Sequence, residues 1–449
     1  MNSIVFPNAM LVDLREELLA NAPNEAAAIM LAGRHRSKSG ERLLVREKFV
    51  VPASGYREQS PGSVSIEPAH LNSVVRRARN EGWSILLIHT HPFASEAWFS
   101  STDDRAEADL IPVLRQRASD RSHAFAVLTG TDVSVRTWSF RSRQSRPSVV
   151  REVGRRVRIS GQLHRSKVLP AEVDRSVRAL GSEGQRLISS LTVGIVGLGG
   201  LGSFVVQELA HSGVYRFVLI DPDKIERTNL NRVVGSSKAS LRRAKVHVAA
   251  ELVRELQPKG DITTAVRDIT EQSVLKKLLL CDVVFCCTDS HGSRAVLNQL
   301  AYQYMIPTFD LGVQVDAPAG VVKGITGRVQ MLAPGLPCLV CQNLLDPELV
   351  RRDLMSETQR RADPYIVGAD VPQPAVISLN GTVASLGVTM FLSALAGLPV
   401  ESRHQIVLFD RGTVRSVTSQ PDTKCVVCSL RGALGRGDLY PFPGRPDAG

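Results

Sequence analysis

Two histidines at the end of an apolar run have the spacing of metal ligands. His89 and His91 stand at i and i+2 of a predicted strand, so their imidazoles point to one face and can bind one zinc ion. Asp103 or Asp104, in the polar run that follows, can supply a third ligand and leave the fourth position to water. That open arrangement is typical of a catalytic zinc. Such chemistry needs a general base, for which Glu25 is a candidate.

Four of the seven cysteines form two C-x-x-C pairs. Cys338 pairs with Cys341 and, further along the chain, Cys425 pairs with Cys428. In a reducing cytosol such pairs indicate zinc rather than disulfides, and four thiolates make a closed tetrahedral site of the structural kind. A redox-active C-x-x-C pair is the competing interpretation.

A glycine-rich turn indicates a nucleotide site. Gly197, Gly199, Gly200 and Gly202 follow one predicted strand and open a helix, where free N–H groups and the helix dipole favour phosphate. Asp221 ends the next strand, 19 residues after Gly202, where a carboxylate can take ribose hydroxyls. This pattern predicts Rossmann-like nucleotide binding, for which NAD is the usual ligand.

The residues that follow do not suit a dehydrogenase. Asp223, Asn229 and Arg232 come just past the second strand, Lys245 stands 13 residues later, and Asp289 ends a later strand. Arg and Lys neutralise phosphate oxygens and an aspartate can hold Mg²⁺, so the set suits phosphoryl chemistry on a triphosphate. Asp223 is open to two interpretations, a magnesium ligand or a carboxylate that orders its loop.

The elements that would position these residues fall into two regions. Residues 1–140 alternate short apolar runs with helical segments, which predicts an α+β domain with a mixed sheet. From about residue 186 strands alternate with helices, which predicts a parallel, doubly wound sheet and an α/β fold class. The pattern predicts strands at 26–31, 43–51, 84–89, 123–130, 192–197, 217–221, 281–289 and 321–332, and a helix at 201–212.

Composition and charge limit the possible classes of protein. The chain has 449 residues, 43% of them hydrophobic and 22% charged, which is typical of a globular protein of two or three domains. It lacks a run of about 18 apolar residues and a secretory signal, so we expect a cytoplasmic protein with no membrane partner.

Two segments have unusual compositions. Residues 141–180 contain eleven Arg or Lys and three Asp or Glu, a surplus that accounts for most of the net charge of +11. A basic stretch can bind nucleic acid, but we interpret residues 141–174 as a solvated basic linker. Residues 431–449 contain five Gly and three Pro, which predicts a flexible tail.

The second half of the chain resembles the ubiquitin-activating-enzyme superfamily, in particular the bacterial ThiF and MoeB adenylyltransferases. The similarity runs from about Arg175 to Cys428 and gives an adenylation domain over residues 175–430 with a four-cysteine zinc knuckle. It rests on the preamble Arg175…Gly181-Ser-Glu-Gly184-Gln185, the glycine turn, the D-x-D-x(5)-N-L-x-R run, Lys245, the C-T-D run and both C-x-x-C pairs.

The resemblance implies a role for each polar residue of the nucleotide site. Asp221 would bind ribose, Asp289 would hold Mg²⁺, and the phosphates would be contacted by Asn229, Arg232 and Lys245. Arg175 matches the family arginine that reaches into the neighbouring subunit's site, so a homodimer is implied. In the reaction, the C-terminal carboxylate of a ubiquitin-like protein attacks the α-phosphate of ATP and pyrophosphate leaves.

The crossover segment lacks a cysteine that members of this superfamily use to form a thioester. That cysteine would lie at about residues 343–375, and the chain has none there. We therefore expect the reaction to stop at the acyl-adenylate, as it does in MoeB. The activated carboxylate would then pass to a thiol, a sulfur donor or an amine on another molecule, and a separate transfer protein is an open alternative. Cys287 is poorly placed as a nucleophile, and we expect it and Cys286 in the core.

Residues 1–140 resemble the JAMM metallopeptidases of the JAB/MPN family. The family pattern of an early Glu, then H-x-H-P, then S-x-x-D reads here as Glu25, His89, His91, Pro92, Ser100 and Asp103. The resemblance implies that His89, His91 and Asp103 hold zinc, that Glu25 activates water, and that Ser100 helps to stabilise the oxyanion. The interval from His91 to Asp103 is one residue longer than usual, so Asp104 stays an alternative ligand.

The two resemblances together suggest one substrate. The leading hypothesis is a bifunctional enzyme of a bacterial ubiquitin-like modification system, with ATP, Mg²⁺ and two Zn²⁺ per chain, one catalytic and one structural. It would adenylate the C-terminal glycine of a ubiquitin-like protein and cleave after that terminus, for precursor processing or deconjugation. Such fusions resemble proteins of bacterial ubiquitin-like conjugation operons, some of which are linked to antiphage defence.

Two alternatives stay open at this point. One is an adenylyltransferase for a sulfur-carrier protein in thiamine or molybdopterin-type cofactor biosynthesis, which the missing thioester cysteine suits. The other is a non-enzymatic scaffold that binds nucleic acid or a protein through the basic linker. The intact motif residues argue against the scaffold, so nucleic acid is not an expected partner.

Overall fold

The structure is a computed structural model that describes residues 2–447 except 39, 119–120, 140–141, 143, 162–168, 170, 318–320, 357–358 and 360–373. The chain divides into two compact units. The N-terminal unit comprises Met1–Leu163 with two later segments, Gln303–Met305 and Ser429–Pro441. The C-terminal unit comprises His164–Tyr302, Ile306–Cys428 and Phe442–Gly449.

The N-terminal unit is built on a mixed sheet. Its strands are β1 (Ser3–Pro7), β2 (Ala27–Ser37), β3 (Gly40–Val50), β4 (Tyr56–Ser60), β5 (Ser63–Ile66), β6 (Ser84–Thr90), β7 (His123–Leu128), β8 (Val133–Trp138), β9 (Arg146–Pro147), β10 (Val149–Val153) and β11 (Val157–Ser160). Its helices are α1 (Asn8–Leu19), α2 (Pro68–Glu81) and α3 (Ser101–Ala118). Nine strands form one sheet in the order β11-β10-β1-β3-β2-β6-β7-β8-β9, and β4 pairs with β5 in a separate hairpin.

Both faces of the nine-stranded sheet are covered by helices. Along β2, Ala28 and Met30 pack with α1 on one face, whereas Ala27 and Ile29 pack with α2 and α3 on the other. Side chains alternate between the faces of a strand, so a strand buried on both faces has a continuous apolar sequence. This explains why the run at 26–31 is apolar throughout and confirms the predicted α+β unit.

The structure differs from the expected basic linker at residues 141–174. Residues 149–153 and 157–160 are strands of the N-terminal sheet, and β1 pairs in parallel with β10. Val149, Val150, Val153 and Val157 are buried, and the arginines between them lie at half-buried or exposed positions. On β10 the adjacent Val149 and Val150 are both buried, so both faces of that strand are covered, whereas on β11 the buried Val157 is followed by the exposed Arg158. The rest of the predicted linker, at 162–168 and 170, lies outside the described residues.

Residues 429–441 also differ from the expected flexible tail. We call this segment the C-terminal strap, and it belongs to the N-terminal unit. Its residue Ala433 is fully buried, and Gly437 forms a parallel bridge with Arg34. The backbones approach closely because a Cβ at Gly437 would lie 2.2 Å from the Arg34 carbonyl oxygen. Here the glycines serve close packing rather than mobility.

Asp438 and Arg46 account for much of the attachment of the strap. Asp438 Oδ1 lies 3.0 Å from His35 Nδ1, and its Oδ2 accepts a hydrogen bond of 3.0 Å from the Arg36 N–H. The buried Arg46 guanidinium lies 4.5 Å from the Trp83 ring and donates to the Leu430 carbonyl. Without the strap this cation would lose an acceptor in a buried position, which is costly.

We expect Asp438→Ala to lower the free energy of unfolding of the N-terminal unit by about 2 kcal/mol, because it removes these hydrogen bonds. Burial raises the pKa of Asp438, but hydrogen bonds from His35 and the Arg36 N–H outweigh it and hold the pKa below its ordinary value. The stabilisation is therefore present at neutral pH and is lost as the pH falls below the ordinary aspartate value. Denaturant titration of the variant at neutral and acid pH measures both effects.

Asp13→Ala is the matched control, since Asp13 is exposed on α1. It should change the free energy of unfolding by no more than about 0.5 kcal/mol. Equal stability of the two variants at neutral pH would show that Asp438 does not hold the strap.

The C-terminal unit has the predicted doubly wound sheet. Its helices are α4 (Asp174–Ser190), α5 (Gly200–His211), α6 (Lys245–Leu256), α7 (Gln272–Leu275), α8 (His291–Gln303), α9 (Pro347–Leu354) and α10 (Ile377–Ala396). Its strands are β12 (Thr192–Val196), β13 (Arg216–Ile220), β14 (Asp261–Ala265), β15 (Val283–Cys286), β16 (Thr308–Asp316), β17 (Gly324–Leu332), β18 (His404–Leu408) and β19 (Thr413–Ser416). The first five strands of the order β14-β13-β12-β15-β16-β17-β18-β19 are parallel, and the last three are antiparallel.

Strand β12 sits where the strand order reverses. The chain continues from β12 to β13 and β14 on one side, and returns to β15 on the other. In open α/β sheets a crevice forms at the carboxyl ends of the strands at such a reversal, and ligands bind there. The glycine turn after β12 and Asp289 after β15 therefore meet at one edge of the sheet.

Helix α10 is long and apolar enough to cross a membrane by length and composition, and it is the one such helix among the described residues. Of its most apolar window, 56% is buried inside the protein. It packs against α5, where Gly381 leaves room for the Phe204 ring, and against β16, where Gly387 meets Leu311. These contacts are those of a core helix.

Candidate functional site

A cavity of about 640 Å³ opens at the carboxyl edge of the parallel strands in the C-terminal unit. Loops after β12, β13 and β15 form its walls. The predicted nucleotide-site residues that line it are Gly197, Gly199, Gly200, Asp221, Asp223, Asn229, Arg232, Lys245 and Asp289. The fold therefore brings to one cavity residues that are up to 92 positions apart in the sequence, from Gly197 to Asp289.

The glycines of the turn are required by close approach. Gly197 has a φ of +85°, and a Cβ at Gly202 would lie 1.8 Å from the Gly197 carbonyl oxygen. A Cβ at Gly200 would lie 2.2 Å from Asn380 Nδ2. The turn thus leaves the first N–H groups of α5 facing the cavity, which suits an anionic phosphate.

Asp221 is fixed by the backbone around it. Its Oδ2 accepts a hydrogen bond of 2.6 Å from the Leu198 N–H, and its Oδ1 accepts one of 2.8 Å from the Asp223 N–H. Burial raises the pKa of Asp221, and the Lys245 charge opposes that shift. Lys245 Nζ lies 2.7 Å from Asp223 Oδ2 and 4.0 Å from Asp221 Oδ1. Asp223 is thus paired with Lys245, and both of its predicted roles stay open.

Asn229 and Arg232 belong to one short turn. The buried Asn229 accepts a hydrogen bond of 3.1 Å from the Glu226 N–H as part of a capping box. Arg232 Nη1 donates to the Thr228 carbonyl over 2.6 Å and to Asn231 Oδ1 over 3.2 Å. Asn229 therefore shapes the turn from which the Arg232 side chain reaches the cavity.

The four cysteines of the two C-x-x-C pairs come together in the C-terminal unit. Their sulfur atoms lie within 4.8 Å of one another, with 3.5 Å from Cys338 to Cys425 and 3.3 Å from Cys341 to Cys428. Thiolates bound to tetrahedral zinc at about 2.3 Å lie roughly 3.8 Å apart. Backbone N–H groups donate to three of these sulfur atoms, which favours thiolates. The donor set fits a structural zinc ion.

We expect Cys425→Ser to lower the zinc content by one ion per chain and to destabilise the C-terminal unit by several kcal/mol, since a structural zinc contributes directly to folding free energy. Metal analysis and denaturant titration measure the two effects. Cys287→Ser is the matched control and should keep the full zinc content. A Cys425→Ser protein that retains as much zinc as the wild type would rule out this metal site.

The N-terminal unit holds the second candidate metal site. His89 is on β6 and His91 directly follows it, and their Nε2 atoms lie 3.3 Å apart. Asp103 Oδ1 lies 3.1 Å from His89 Nε2, and Asp103 Oδ2 lies 3.8 Å from His91 Nε2. Nitrogen ligands at about 2.0–2.1 Å from tetrahedral zinc lie roughly 3.4 Å apart, so these donors fit one ion. Asp104 instead lies 2.6 Å from Arg136 Nη1, away from the histidines.

Glu25 and Ser100 complete this site. Glu25 Oε1 lies 3.8 Å from His91 Nε2, and burial raises the pKa of Glu25 to about 7, a value suited to a general base or acid near neutral pH. Ser100 caps α3: its N–H and its hydroxyl both donate to Asp103 Oδ2, over 2.6 and 2.7 Å. Burial raises the pKa of Asp103, but bonds from His89 and Ser100 outweigh it and hold the pKa below its ordinary value.

A pocket of about 350 Å³ adjoins these residues. Glu25, His89, His91, Ser100 and Asp103 all line it, together with residues of the β4–β5 hairpin. The site is therefore open to a substrate chain, in contrast to the closed cysteine site.

Comparison with known proteins decides the family. Residues 173–427 match the ThiF family over more than half of the chain. The chain belongs to the ThiF family. Residues 7–142 match the prokaryotic homologs of the JAB domain. The protein is thus a fusion of a JAB domain with a ThiF-type adenylyltransferase domain, as the sequence motifs indicate, and use of ATP follows from the ThiF domain.

The chain is similar to several curated proteins. It is 32% identical over 163 residues to the SAMP-activating enzyme E1 of Haloferax volcanii, which covers 36% of this chain and 57% of that protein. It is 28% identical to ubiquitin-like modifier-activating enzyme 5 of Aedes aegypti, covering 44% and 53%. It is also 28% identical to the adenylyltransferase and sulfurtransferase MOCS3 of Bos taurus, covering 56% and 51%. The chain spans about half the length of these curated relatives.

A solved structure of MccB from E. coli also resembles this ThiF protein. The identity is 20%, the TM-score is 0.47, and the match covers 58% of this chain and 76% of that one. That structure contains MccB with MccA-N7isoASN.

Two predicted residues of the ThiF domain do not line the cavity. Gly202 lies behind the turn, and Arg175 is exposed on α4. Cys286 is buried as expected, whereas Cys287 is half-buried and lines the cavity. Burial raises the pKa of the Cys287 thiol, so it is held protonated and is a poor nucleophile.

Several residues that line the ThiF cavity were missed by the sequence analysis, among them Arg294, Asp353 and Asn380. Arg294 on α8 lies 3.4 Å from the fully buried Asp310, which also binds Arg328 over 2.6 Å. Asp353 on α9 accepts hydrogen bonds from Ser290 Oγ and from the Gly292 N–H, and Asn380 on α10 faces Gly200. Arg294 stands five residues after the predicted site residue Asp289, and this closeness in sequence was the one signal that could have indicated it. The other two come from helices distant in sequence.

Proposed function

We propose that this ThiF protein adenylates the C-terminus of a ubiquitin-like protein and that its JAB unit cleaves after the same terminus. The substrate's terminal carboxylate would attack the α-phosphate of ATP, forming an oxygen–phosphorus bond as the bond to pyrophosphate breaks. The cleavage would release a peptide extension or a conjugated protein. Localisation in the bacterial cytoplasm and action as a homodimer, with Arg175 reaching the partner's site, are part of this proposal.

The observation that carries the proposal is the 640 Å³ cavity, in which a phosphate-binding turn faces cations and a carboxylate. The N–H groups at the start of α5 would bind phosphate, and Asp221 would hold the ribose hydroxyls. Lys245 and Arg232 would neutralise charge on the phosphates as it develops. Lys245 would exchange its contact with Asp223 for a phosphate oxygen. Asp289, exposed just after its strand, would hold Mg²⁺, which would supply positive charge to neutralise the phosphates.

The JAB site supports cleavage through its paired donors and base. His89, His91 and Asp103 would hold zinc, which supplies Lewis acidity when bound. Glu25 would take a proton from the attacking water and return it to the leaving amine, for which a pKa of about 7 is suited. The Ser100 hydroxyl would exchange its hydrogen bond to Asp103 Oδ2 for one to the developing oxyanion. Cleavage for maturation and cleavage for deconjugation both use these roles.

A second candidate is adenylation of a sulfur-carrier protein. It is favoured by the absence of cysteine between Cys341 and Cys425 in the sequence and by the raised pKa of the half-buried Cys287 thiol. An adenylate that cannot pass to a thiol of its own enzyme suits transfer to an external sulfur donor. In either case the ThiF chemistry is the same, and the transfer partner is a separate molecule.

ATP–pyrophosphate exchange tests the ThiF half of the proposal. Exchange should require Mg²⁺ and a partner that ends in glycine, and should be lost when that glycine is removed. Addition of sulfide then separates the two candidates: formation of a thiocarboxylate favours the sulfur-carrier candidate, and formation of an amide-linked conjugate favours modification. Exchange that proceeds without any protein partner would contradict both.

A further inference from the structure

The first turn of α3 presents two neighbouring carboxylates, and only one faces the histidines. Asp103 lies within 3.8 Å of both His89 and His91, whereas Asp104 is 61% exposed and pairs with Arg136. The sequence leaves this choice open because the interval after His91 is long. Something in the fold must therefore fix the rotation of α3 about its axis.

Arg136 on β8 makes contacts that fix this rotation. Its Nε lies 2.8 Å from both carboxylate oxygens of Glu107, and its Nη1 lies 2.6 Å from Asp104 Oδ1. Its guanidinium also lies 4.0 Å from the centre of the Phe99 ring, just before the Ser100 cap. Arg136 thus contacts α3 at Asp104 and at Glu107. It also contacts Phe99, two residues before α3 begins.

Glu107 is the buried end of this arrangement. It stands four residues after Asp103, and both side chains line the metal pocket, which Asp104 does not. Its side chain is 3% exposed, and Trp138 Nε1 donates to its Oε2 over 2.8 Å. A buried carboxylate without its cation is strongly unfavourable. Breaking the ion pair between Glu107 and Arg136 would therefore be costly. The pair holds α3 in the rotation that points Asp103 toward the histidines.

We propose that Arg136 is a positioning residue that selects Asp103, rather than Asp104, as the carboxylate ligand of the JAB metal site. The inference rests on the proposed zinc site. Arg136 acts through Glu107 and Asp104 and does not touch the metal-binding atoms itself. Its planar guanidinium matters because it binds Glu107 and Asp104 at once, which a lysine ammonium does not reproduce.

Zinc competition on the full chain tests this inference. Chelators of graded affinity are added to zinc-loaded protein, and the zinc retained per chain is measured, with the cysteine site as the internal reference. Arg136→Lys should weaken the JAB site about 10- to 100-fold, the usual effect of losing a partner that orients a ligand. Arg105→Lys, an exposed arginine of the same helix, should leave zinc affinity unchanged.

A second variant keeps the test independent of folding. Trp138→Phe retains the aromatic ring and removes one donor to Glu107, so it should weaken zinc binding in the same direction by a smaller factor. Thermal melting of each zinc-free protein accompanies the titration. An Arg136→Lys protein that melts earlier but binds zinc as tightly as the wild type would overturn the inference, because Arg136 would then serve stability alone.

Failure of the inference about Arg136 can be distinguished from failure of the proposed peptidase function. A wild-type protein that holds two zinc ions but cleaves no substrate contradicts the peptidase proposal, yet the effect of Arg136→Lys on zinc affinity is still measured. A wild-type protein that holds zinc at the cysteines alone contradicts the JAB metal site and, with it, the inference about Arg136.

Discussion

Replacing Asp289 with alanine is expected to remove adenylation while cleavage continues at the wild-type rate. Asp289 follows β15 and lines the ThiF cavity, and its side chain is exposed and able to meet a cation. Asp353 also lines the cavity, but its carboxylate is bound to Ser290 and Gly292 and is not placed to substitute. Loss of the carboxylate that we propose to hold Mg²⁺ should lower adenylation at least about 10²- to 10³-fold.

The measurement is ATP–pyrophosphate exchange together with cleavage of a C-terminally extended partner, both on the same preparation. Asp261→Ala provides the control, because Asp261 is an exposed aspartate on β14 away from the cavity. It should retain both activities. Full exchange activity in the Asp289→Ala protein would refute the assignment of this carboxylate.

Replacing His91 with alanine is expected to have the opposite effect. His91 Nε2 lies 3.3 Å from His89 Nε2 and 3.8 Å from Glu25 Oε1. It is therefore close both to another proposed zinc ligand and to the proposed general base. Its loss leaves two strong donors for zinc, and a metal-dependent cleavage should fall by at least about 10³-fold. Adenylation, which uses residues of the other unit, should be unchanged.

His70→Ala is the control for this experiment, since His70 lies on α2 and does not line the metal pocket. Treatment of the wild type with a chelator that empties the JAB site should reproduce the His91→Ala result. If either Asp289→Ala or His91→Ala abolished both activities in a folded protein, the two sites would not act independently.

Most of the fold could be predicted from the sequence where its pattern is local. The runs at 84–89, 123–130 and 192–197 are strands in the structure because apolar side chains on both faces give a continuous hydrophobic run. The ThiF turn was equally visible, since a phosphate-binding turn needs glycine at close approaches that no other residue tolerates. These signals depend on residues within about ten positions of one another.

The features that the sequence analysis missed depend on contacts between distant residues. Arginine-rich residues 149–160 were interpreted as a linker, because their charge hides the buried valines of β10 and β11. The C-terminal strap was interpreted as a flexible tail, because its glycines are required by contact with Arg34, about 400 residues earlier. Composition cannot distinguish a glycine that confers mobility from one that permits close packing.

The choice between Asp103 and Asp104 illustrates the same limit. Both carboxylates satisfy the local motif. In the structure Asp103 lies against His89, whereas Asp104 pairs with Arg136, about 30 residues later on another strand. The contacts that bring His89, His91 and Asp103 to one pocket join strands and a helix that the local pattern does not place together.

The central claim is that both sites act on one terminus, and intact-mass spectrometry of a ubiquitin-like partner with a C-terminal extension tests it most directly. The partner is incubated with the protein, ATP and Mg²⁺, with and without a zinc chelator. The account predicts loss of the extension that the chelator blocks, followed by an ATP-dependent gain of one AMP on the shortened protein. The contrary result is that zinc-loaded protein leaves the extension in place but adds AMP to a partner supplied without the extension. That result would contradict the proposal that both sites act on one terminus, and it would favour the sulfur-carrier alternative.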